Sequence, residues 1–262
     1  MEYRTPGRRK VQYIHQLLII CPLVFLAGFV DSIAGGGGLI SLPAYYMAGL
    51  PPHMALGTNK LSSSIGMVFS TGTYLRGGHV YKPLIPISVA GALIGSWIGA
   101  RSVLLLDELI LRWIMVIAIP VVTVLIIFKK DLLAPEKRDI SRIREQIIAA
   151  VVSLTVGWYD GFFGPGAGTF LMLAFIGSLK LEAVTACGNT KVVNLCSNVA
   201  ALAVFISAGT VNYRLALPGA VFAILGNVLG AKLTVLKGIK LIKPVMLVVV
   251  LVLMITIVRD LL

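Results

Sequence analysis

Hydrophobic residues fill most of the chain in long segments that short polar or charged stretches separate. A helix needs about 20 apolar residues to cross the hydrocarbon core of a bilayer. The long segments predict eight spanning helices, at 14–33, 54–75, 83–101, 109–128, 146–163, 185–208, 214–236 and 243–258. Two further segments, 38–50 and 168–179, are too short to cross in a straight line. Each follows a glycine cluster, so we predict that each is half of a broken helix or a re-entrant hairpin.

The composition places this chain in a membrane. Hydrophobic residues make up 58% of the chain and charged residues 13%, whereas soluble domains carry about 25% charged residues. Such a surface must face lipid, so the predicted fold is an all-α polytopic membrane helix bundle. A soluble enzyme, a disordered protein and a nucleic-acid-binding module are excluded. The net charge of +12 lies at segment ends and in one loop, where basic residues contact anionic lipid.

The two halves of the sequence repeat each other. The first half contains DSIAGGGG from Asp31 and GTNK ending at Lys60, and the second contains DGFFGPGAG from Asp160 and GNTK ending at Lys191. After the lysines the register holds without gaps, and the two lysines are 131 residues apart. We therefore predict a duplication, with a first transmembrane repeat at 11–128, a charged connecting loop at 129–145 and a second repeat at 146–262.

The distribution of basic residues predicts the topology. The N-terminal flank contains Arg4, Arg8, Arg9 and Lys10, and the loop 129–145 contains six Lys or Arg residues. The positive-inside rule puts both in the cytoplasm. Each half then crosses the membrane four times, and the repeats are parallel. If the short segments also cross, each half has five spans and the repeats are inverted.

The repeated lysines are the strongest candidates for a binding site. A cation within the membrane costs several kcal/mol unless it is partnered or hydrated, yet Lys60 and Lys191 both lie within predicted spans. Ammonium, hydroxyl and amide donors without a paired carboxylate at hand suit an anion. The predicted anion-binding residues on these two helices are Thr58, Asn59, Lys60, Ser63, Asn189, Thr190, Lys191 and Asn194. The alternative is that each lysine extends to the interface or pairs structurally with Asp31 or Asp160.

The glycine clusters extend the predicted site. A glycine-rich break inside the membrane exposes backbone N–H groups and the positive end of a half-helix, which can hold an anionic substrate group. The glycines predicted to bind the substrate are Gly36, Gly37, Gly38, Gly166 and Gly168. Close packing of helices through glycine is the alternative. The carboxylates before the breaks either transfer a proton or hold the broken helices through the lysines.

Three long motifs closely resemble those of the TauE/SafE family of membrane transporters, also called the sulfite-exporter family. They read DSIAGGGGLISLP, LGTNKLSSS and YDGFFGPGAGTFLMLAF, and the resemblance extends over about residues 17–258. It implies a protein of the bacterial or archaeal inner membrane that moves sulfite or another small organosulfur anion, often outward. The second half departs from the family's usual A-x-x-K pattern, because Gly188 stands where alanine is common.

The predicted function is therefore a secondary transporter for a small sulfur-containing anion, and a passive anion channel is the alternative. We expect no enzymatic activity, catalytic residue, metal or cofactor, since the sequence contains no nucleotide-binding motif and no nucleophile or metal-ligand set. Membrane lipid is an expected partner and nucleic acid is not. The sequence leaves open whether the protein is a monomer or a homodimer.

Overall fold

The computed structural model describes residues 6–111, 113–114, 140–238, 240–241 and 245, and the regular structure in these residues is entirely helical. An all-helical bundle is what the hydropathy pattern predicts. The α-helices are α1 (Pro6–Ala34), α2 (Gly38–Met47), α3 (Pro52–Arg76), α4 (Ile85–Leu104), α5 (Arg142–Phe162), α6 (Ala167–Leu179), α7 (Ala183–Ser207) and α8 (Tyr213–Lys237), and a 3₁₀ turn at Lys82–Leu84 precedes α4. The predicted spans at 109–128 and 243–258 lie almost entirely outside the described residues.

Helix α1 begins earlier than the hydropathy pattern predicts. The apolar segment starts at residue 14, but the helix starts at Pro6 and includes Arg8, Arg9 and Lys10 of the basic flank. Arginine and lysine are good helix formers, so a change in polarity marks the membrane boundary and not the end of the helix. Proline suits the first turn of a helix because its missing N–H has no intrahelical partner there.

Four of the described helices are long and apolar enough to cross a membrane: Val11–Ala34, Lys82–Leu104, Ala183–Ser207 and Tyr213–Lys237. Helix α3 has the same 25-residue length as α7, but its TNKLSSS segment lowers its hydropathy. Many large apolar side chains point outward, among them Ile94, Trp97 and Leu225, as expected of a surface in contact with lipid. The number of crossings and the cytoplasmic position of both basic segments stay predictions.

The helices of the two halves interlock. Helix α1 packs most extensively against α8, and α5 packs most extensively against α4. The first helix of each half therefore lies against the last fully described helix of the other half, while α3 and α7 contact each other between them. In each half a long helix, a break and a short helix are followed by two further long helices. The duplication of the sequence itself stays a prediction.

Glycines allow the close approach of these helix pairs. A methyl group at Gly99 of α4 would overlap the backbone carbonyl of Trp158 in α5, and one at Gly226 of α8 would overlap the carbonyl of Phe25 in α1. Small residues at helix interfaces let two backbones approach within contact distance. The two equivalent helix pairs thus depend on glycine to bring the ends of α1 and α5 into the centre of the bundle.

Candidate functional site

The two glycine clusters break their helices as predicted, and the breaks touch each other. Helix α1 ends at Ala34 before α2 begins at Gly38, and α5 ends at Phe162 before α6 begins at Ala167. The Thr169 hydroxyl donates a hydrogen bond of 2.9 Å to the Ala34 carbonyl across the contact. Four helix ends therefore meet at one point inside the bundle.

Glycine is required where the breaks meet. Gly35 has a φ of +78°, which L side chains rarely adopt, and a Cβ there would overlap the backbone of Gly168. Gly38 is less constrained, since a Cβ on it would make a tight contact of 3.2 Å with the Pro165 Cα. The close contact of two backbones accounts for part of the glycine content, as the packing alternative predicted.

Two ion pairs cross between the halves beside the breaks. Lys191 of α7 donates to Asp31 of α1 across 2.6 Å, and Lys60 of α3 lies 2.9 Å from Asp160 of α5. All four residues are buried, with at most 6% of their surface exposed. Each lysine therefore has as its partner the aspartate that precedes the glycine cluster of the other half.

The premise that the lysines lack a carboxylate partner is wrong. The partners are far apart in sequence, 160 residues for Lys191 and Asp31, and only the crossed packing of the halves joins them. A buried charge is tolerated when an opposite charge and further hydrogen bonds replace water. The pairing agrees with the structural interpretation of the two aspartates, and their ability to transfer a proton stays a prediction.

The two carboxylates differ in their other partners. Asp31 accepts a 3.3 Å hydrogen bond from the backbone N–H of Gly37, which ties the end of α1 to the start of α2. Asp160 accepts from the Ser197 hydroxyl at 2.5 Å and from the Asn198 amide at 3.3 Å, both on α7. Three elements therefore converge on Asp160, because Lys60 on α3 is its third partner.

A small, partly open polar cavity of about 30 Å³ lies where the breaks meet. Its wall contains residues of both glycine clusters, charged side chains, four amides and two hydroxyls. The polar and glycine residues that line it are Gly28, Asp31, Gly35, Gly37, Gly38, Ser41, Asn59, Lys60, Ser63, Asp160, Gly164, Gly168, Asn194, Asn198 and Asn227. The cavity can offer an ammonium group, amide N–H groups and a hydroxyl to a small ligand.

The structure places the predicted site residues in two groups. Those that line the cavity are Gly37, Gly38, Asn59, Lys60, Ser63, Gly168 and Asn194, together with Asp31 and Asp160. Those that do not line it are Gly36, Thr58, Gly166, Asn189, Thr190 and Lys191. The two lysines therefore differ. Lys60 lines the cavity, whereas Lys191 does not and is paired with Asp31, which does.

Thr58 and Asn189, which occupy equivalent positions, hold the two halves together. The Thr58 hydroxyl accepts a 3.0 Å hydrogen bond from the backbone N–H of Asn212, just before α8. Asn189 accepts from the N–H of Tyr81 at 2.7 Å and donates to its carbonyl at 3.1 Å. Each side chain fixes the start of a helix of the other half, α8 for Thr58 and α4 for Asn189, so its polarity has a structural use.

We expect Thr58→Val to destabilise the protein without changing its affinity for an anion. The substitution keeps the shape but leaves the Asn212 N–H without its acceptor, which costs about 1–3 kcal/mol. Thermal unfolding in detergent measures this loss. Thr190→Val is the matched control, because the Thr190 hydroxyl is buried without a hydrogen-bond partner in the described structure. Equal stability of the two variants would contradict this role for Thr58.

Sequence analysis missed Asn198 and Asn227 as cavity residues. Asn198 lies seven residues after Lys191, about two helical turns, so it shares a face with the lysine. Asn227 is a buried amide within an otherwise apolar stretch of α8. Its side chain accepts from the Ser70 hydroxyl at 2.9 Å. A lone amide in a predicted span is expensive and often functional, and that signal could have identified it.

Membrane-spanning helices, helices broken at depth and a polar cavity at the breaks define an integral membrane protein of the transporter class. The chain belongs to the TauE/SafE family: the sulfite exporter TauE/SafE family matches residues 20–257. It is 35% identical to a probable membrane transporter protein of a Sinorhizobium species, over 94% of each chain. It is 34% identical to the probable membrane transporter protein YfcA of Escherichia coli, over 91% of each chain. No solved structure matches it.

Proposed function

We propose that this protein is a secondary transporter that exports a small sulfur-containing anion, such as sulfite or an organosulfonate, across a bacterial or archaeal inner membrane. The observation that supports this proposal is the cavity at the two glycine breaks, which Lys60 and several amides line. The protein performs no catalysis, and the gradients of its substrate or of an ion drive the transport. The N-terminus lies in the cytoplasm, as its basic residues favour.

In the proposed site Lys60 provides the positive charge, and Asn59, Ser63 and Asn194 provide neutral donors. Gly38 begins α2, so its backbone N–H has no acceptor within that helix, and the helix end adds a partial positive charge. A sulfur oxyanion has several acceptor oxygens on a compact centre. This set of an ammonium group, amides, a hydroxyl and backbone N–H groups can satisfy those oxygens without water.

Anion-dependent stabilisation tests the proposed function. We expect sulfite, thiosulfate or sulfoacetate to raise the thermal unfolding temperature of the purified protein more than acetate or taurine does. A ligand that binds the folded state alone stabilises it by about 3 kcal/mol at about 100 times its Kd. Sulfate is included to compare oxyanions of similar shape. If no sulfur anion shifts the unfolding temperature at millimolar concentration, the proposed function is wrong.

A further inference from the structure

One of the two crossed ion pairs is part of the cavity wall and the other is not. Lys60 and Asp160 both line the cavity, and each side chain is only 4% exposed. Lys191 does not line it and is bound to Asp31. A ligand in the cavity therefore competes with the Asp160 carboxylate for Lys60, the lysine that lines the cavity among the described residues.

The charges around the cavity cancel before any anion enters. Asp31 is neutralised by Lys191, and Asp160 is neutralised by Lys60. An anion that binds Lys60 takes the ammonium away from Asp160, so the buried site then holds two negative groups and one ammonium that pairs with only one of them. Carboxylates in such a position take up a proton, because two like charges at close range cannot both be kept.

We propose that an anion binds Lys60 together with one proton, which is taken up on Oδ1 of Asp160. This inference rests on the proposed anion site. Before binding, the ammonium and the carboxylate cancel. After a monoanion has bound, the ammonium and the anion cancel, and Asp160 is a neutral acid. A dianion such as thiosulfate leaves one further negative charge in the site, which favours the neutral acid even more. The proton comes from the solution on the side to which the cavity is open, and it leaves when the anion leaves.

The contacts of Asp160 identify the atom that takes the proton. Lys60 pairs with Oδ1, whereas Oδ2 accepts the hydrogen bonds of Ser197 and Asn198. When Lys60 moves to the anion, Oδ2 keeps both donors and only Oδ1 loses its partner. A neutral acid group protonated on Oδ1 therefore fits the surroundings that the ion pair leaves behind.

The ionisable groups near Asp160 are few. Among the described residues, Lys60 faces it from α3, Asp31 lies across the cavity on α1, and Tyr159 is its neighbour on α5 with its hydroxyl donating to the Pro165 carbonyl at 2.6 Å. The charge of Lys191 on α7 is already matched by Asp31. The described cavity-lining residues of α2, α6 and α8 are uncharged. Asp160 is thus the group that the displacement of Lys60 affects most directly.

Coupling of this kind determines what drives the transport. A monoanion that moves with one proton carries no net charge, so the membrane potential does no work on it. The combined gradients of the anion and of pH then set the direction. An excess of the anion in the cytoplasm drives export, and each exported monoanion removes one proton from the cell.

Calorimetry of thiosulfate binding near neutral pH, in two buffers with different ionisation enthalpies, counts the protons taken up on binding. Thiosulfate does not itself titrate in this range. We expect the wild-type protein to take up about one proton per thiosulfate and Asp160→Asn to take up none. Lys191→Met with Asp31→Asn neutralises the other pair without leaving a buried charge unpartnered, and this double variant should still take up one. Wild-type binding without proton uptake would overturn the coupling and leave the anion site intact, whereas no thiosulfate binding by the wild type would overturn both.

A gentler variant tests the same coupling if Asp160→Asn does not fold. Ser197→Ala removes a donor that favours the carboxylate form of Asp160, so protonation becomes easier. Thiosulfate binding, which weakens as the pH rises, should persist to a pH about one unit higher. Ser96→Ala is the control, because the Ser96 hydroxyl donates to the backbone carbonyl of Ser197 and not to Asp160. Equal pH dependence in the wild type and Ser197→Ala would contradict the coupling.

Discussion

Lys191→Met should lose about 3–5 kcal/mol of unfolding free energy, the largest loss that we expect from one substitution in this chain. The Lys191 side chain is 1% exposed and its ammonium lies 2.6 Å from Asp31. Methionine fills a similar volume but leaves the Asp31 carboxylate buried without its counter-ion. Removing one partner of a buried ion pair costs this much because the other charge is neither solvated nor paired.

The double variant Lys191→Met with Asp31→Asn should recover most of that stability. The asparagine is neutral, and its amide oxygen still accepts from the N–H of Gly37. Replacing both partners of a buried pair by neutral groups is often close to neutral. Thermal or denaturant unfolding of the wild type, the single variant and the double variant measures the coupling. If the double variant is no more stable than Lys191→Met, the pair does not form in the folded protein.

The helices were largely predictable from the sequence, because an apolar segment of about 20 residues in this composition has few alternatives to a spanning helix. The two breaks were also predictable, from the glycine clusters. Several adjacent glycines, one cluster with a proline, cannot be part of a regular helix at low cost. The start of α1 at Pro6 was not predictable, since a helix can extend beyond the membrane without any change in hydropathy.

The crossed pairing could not be predicted from local sequence. It depends on α1 packing against α8 and α5 against α4, and a repeat pattern alone does not say whether the halves lie side by side or interlock. The local motif also misled in one respect. Thr58 and Asn189 look like anion donors beside the lysines, but their hydrogen bonds go to the backbone of Asn212 and Tyr81.

Because the two motifs are similar, the sequence could not show that Lys60 lines the cavity and Lys191 does not. Equivalent lysines predict equivalent roles, yet the residues around them differ. Asn227 of α8 lines the cavity, and at the equivalent position of α4 stands Ser96, whose hydroxyl bonds to a backbone carbonyl. Under the proposed function, Lys60 binds the anion and Lys191 has a structural role.

Neutralising the cavity-facing pair should abolish transport while the protein stays folded. Lys60→Met with Asp160→Asn removes both charges, so neither is left buried without a partner. The cavity keeps its amides and hydroxyls but has no cation. Hydrogen bonds to charged groups contribute about 1.5–3 kcal/mol, so loss of the ammonium alone should weaken anion binding by about 10- to 150-fold.

The matched pair of double variants separates binding from structure. The variant Lys191→Met with Asp31→Asn changes the equivalent residues of the other half, and its lysine does not line the cavity. It should therefore keep measurable anion exchange. Unfolding temperatures of the two double variants serve as the control that both proteins are folded before transport is compared.

Counterflow of ³⁵S-labelled sulfite in proteoliposomes is the most direct test that Lys60 binds the transported anion. Vesicles loaded with unlabelled sulfite should accumulate the label transiently with the wild type and with Lys191→Met/Asp31→Asn, but not with Lys60→Met/Asp160→Asn. Transient accumulation also distinguishes a transporter from a passive channel, which only equilibrates the label. Wild-type counterflow by Lys60→Met/Asp160→Asn would contradict the site at Lys60.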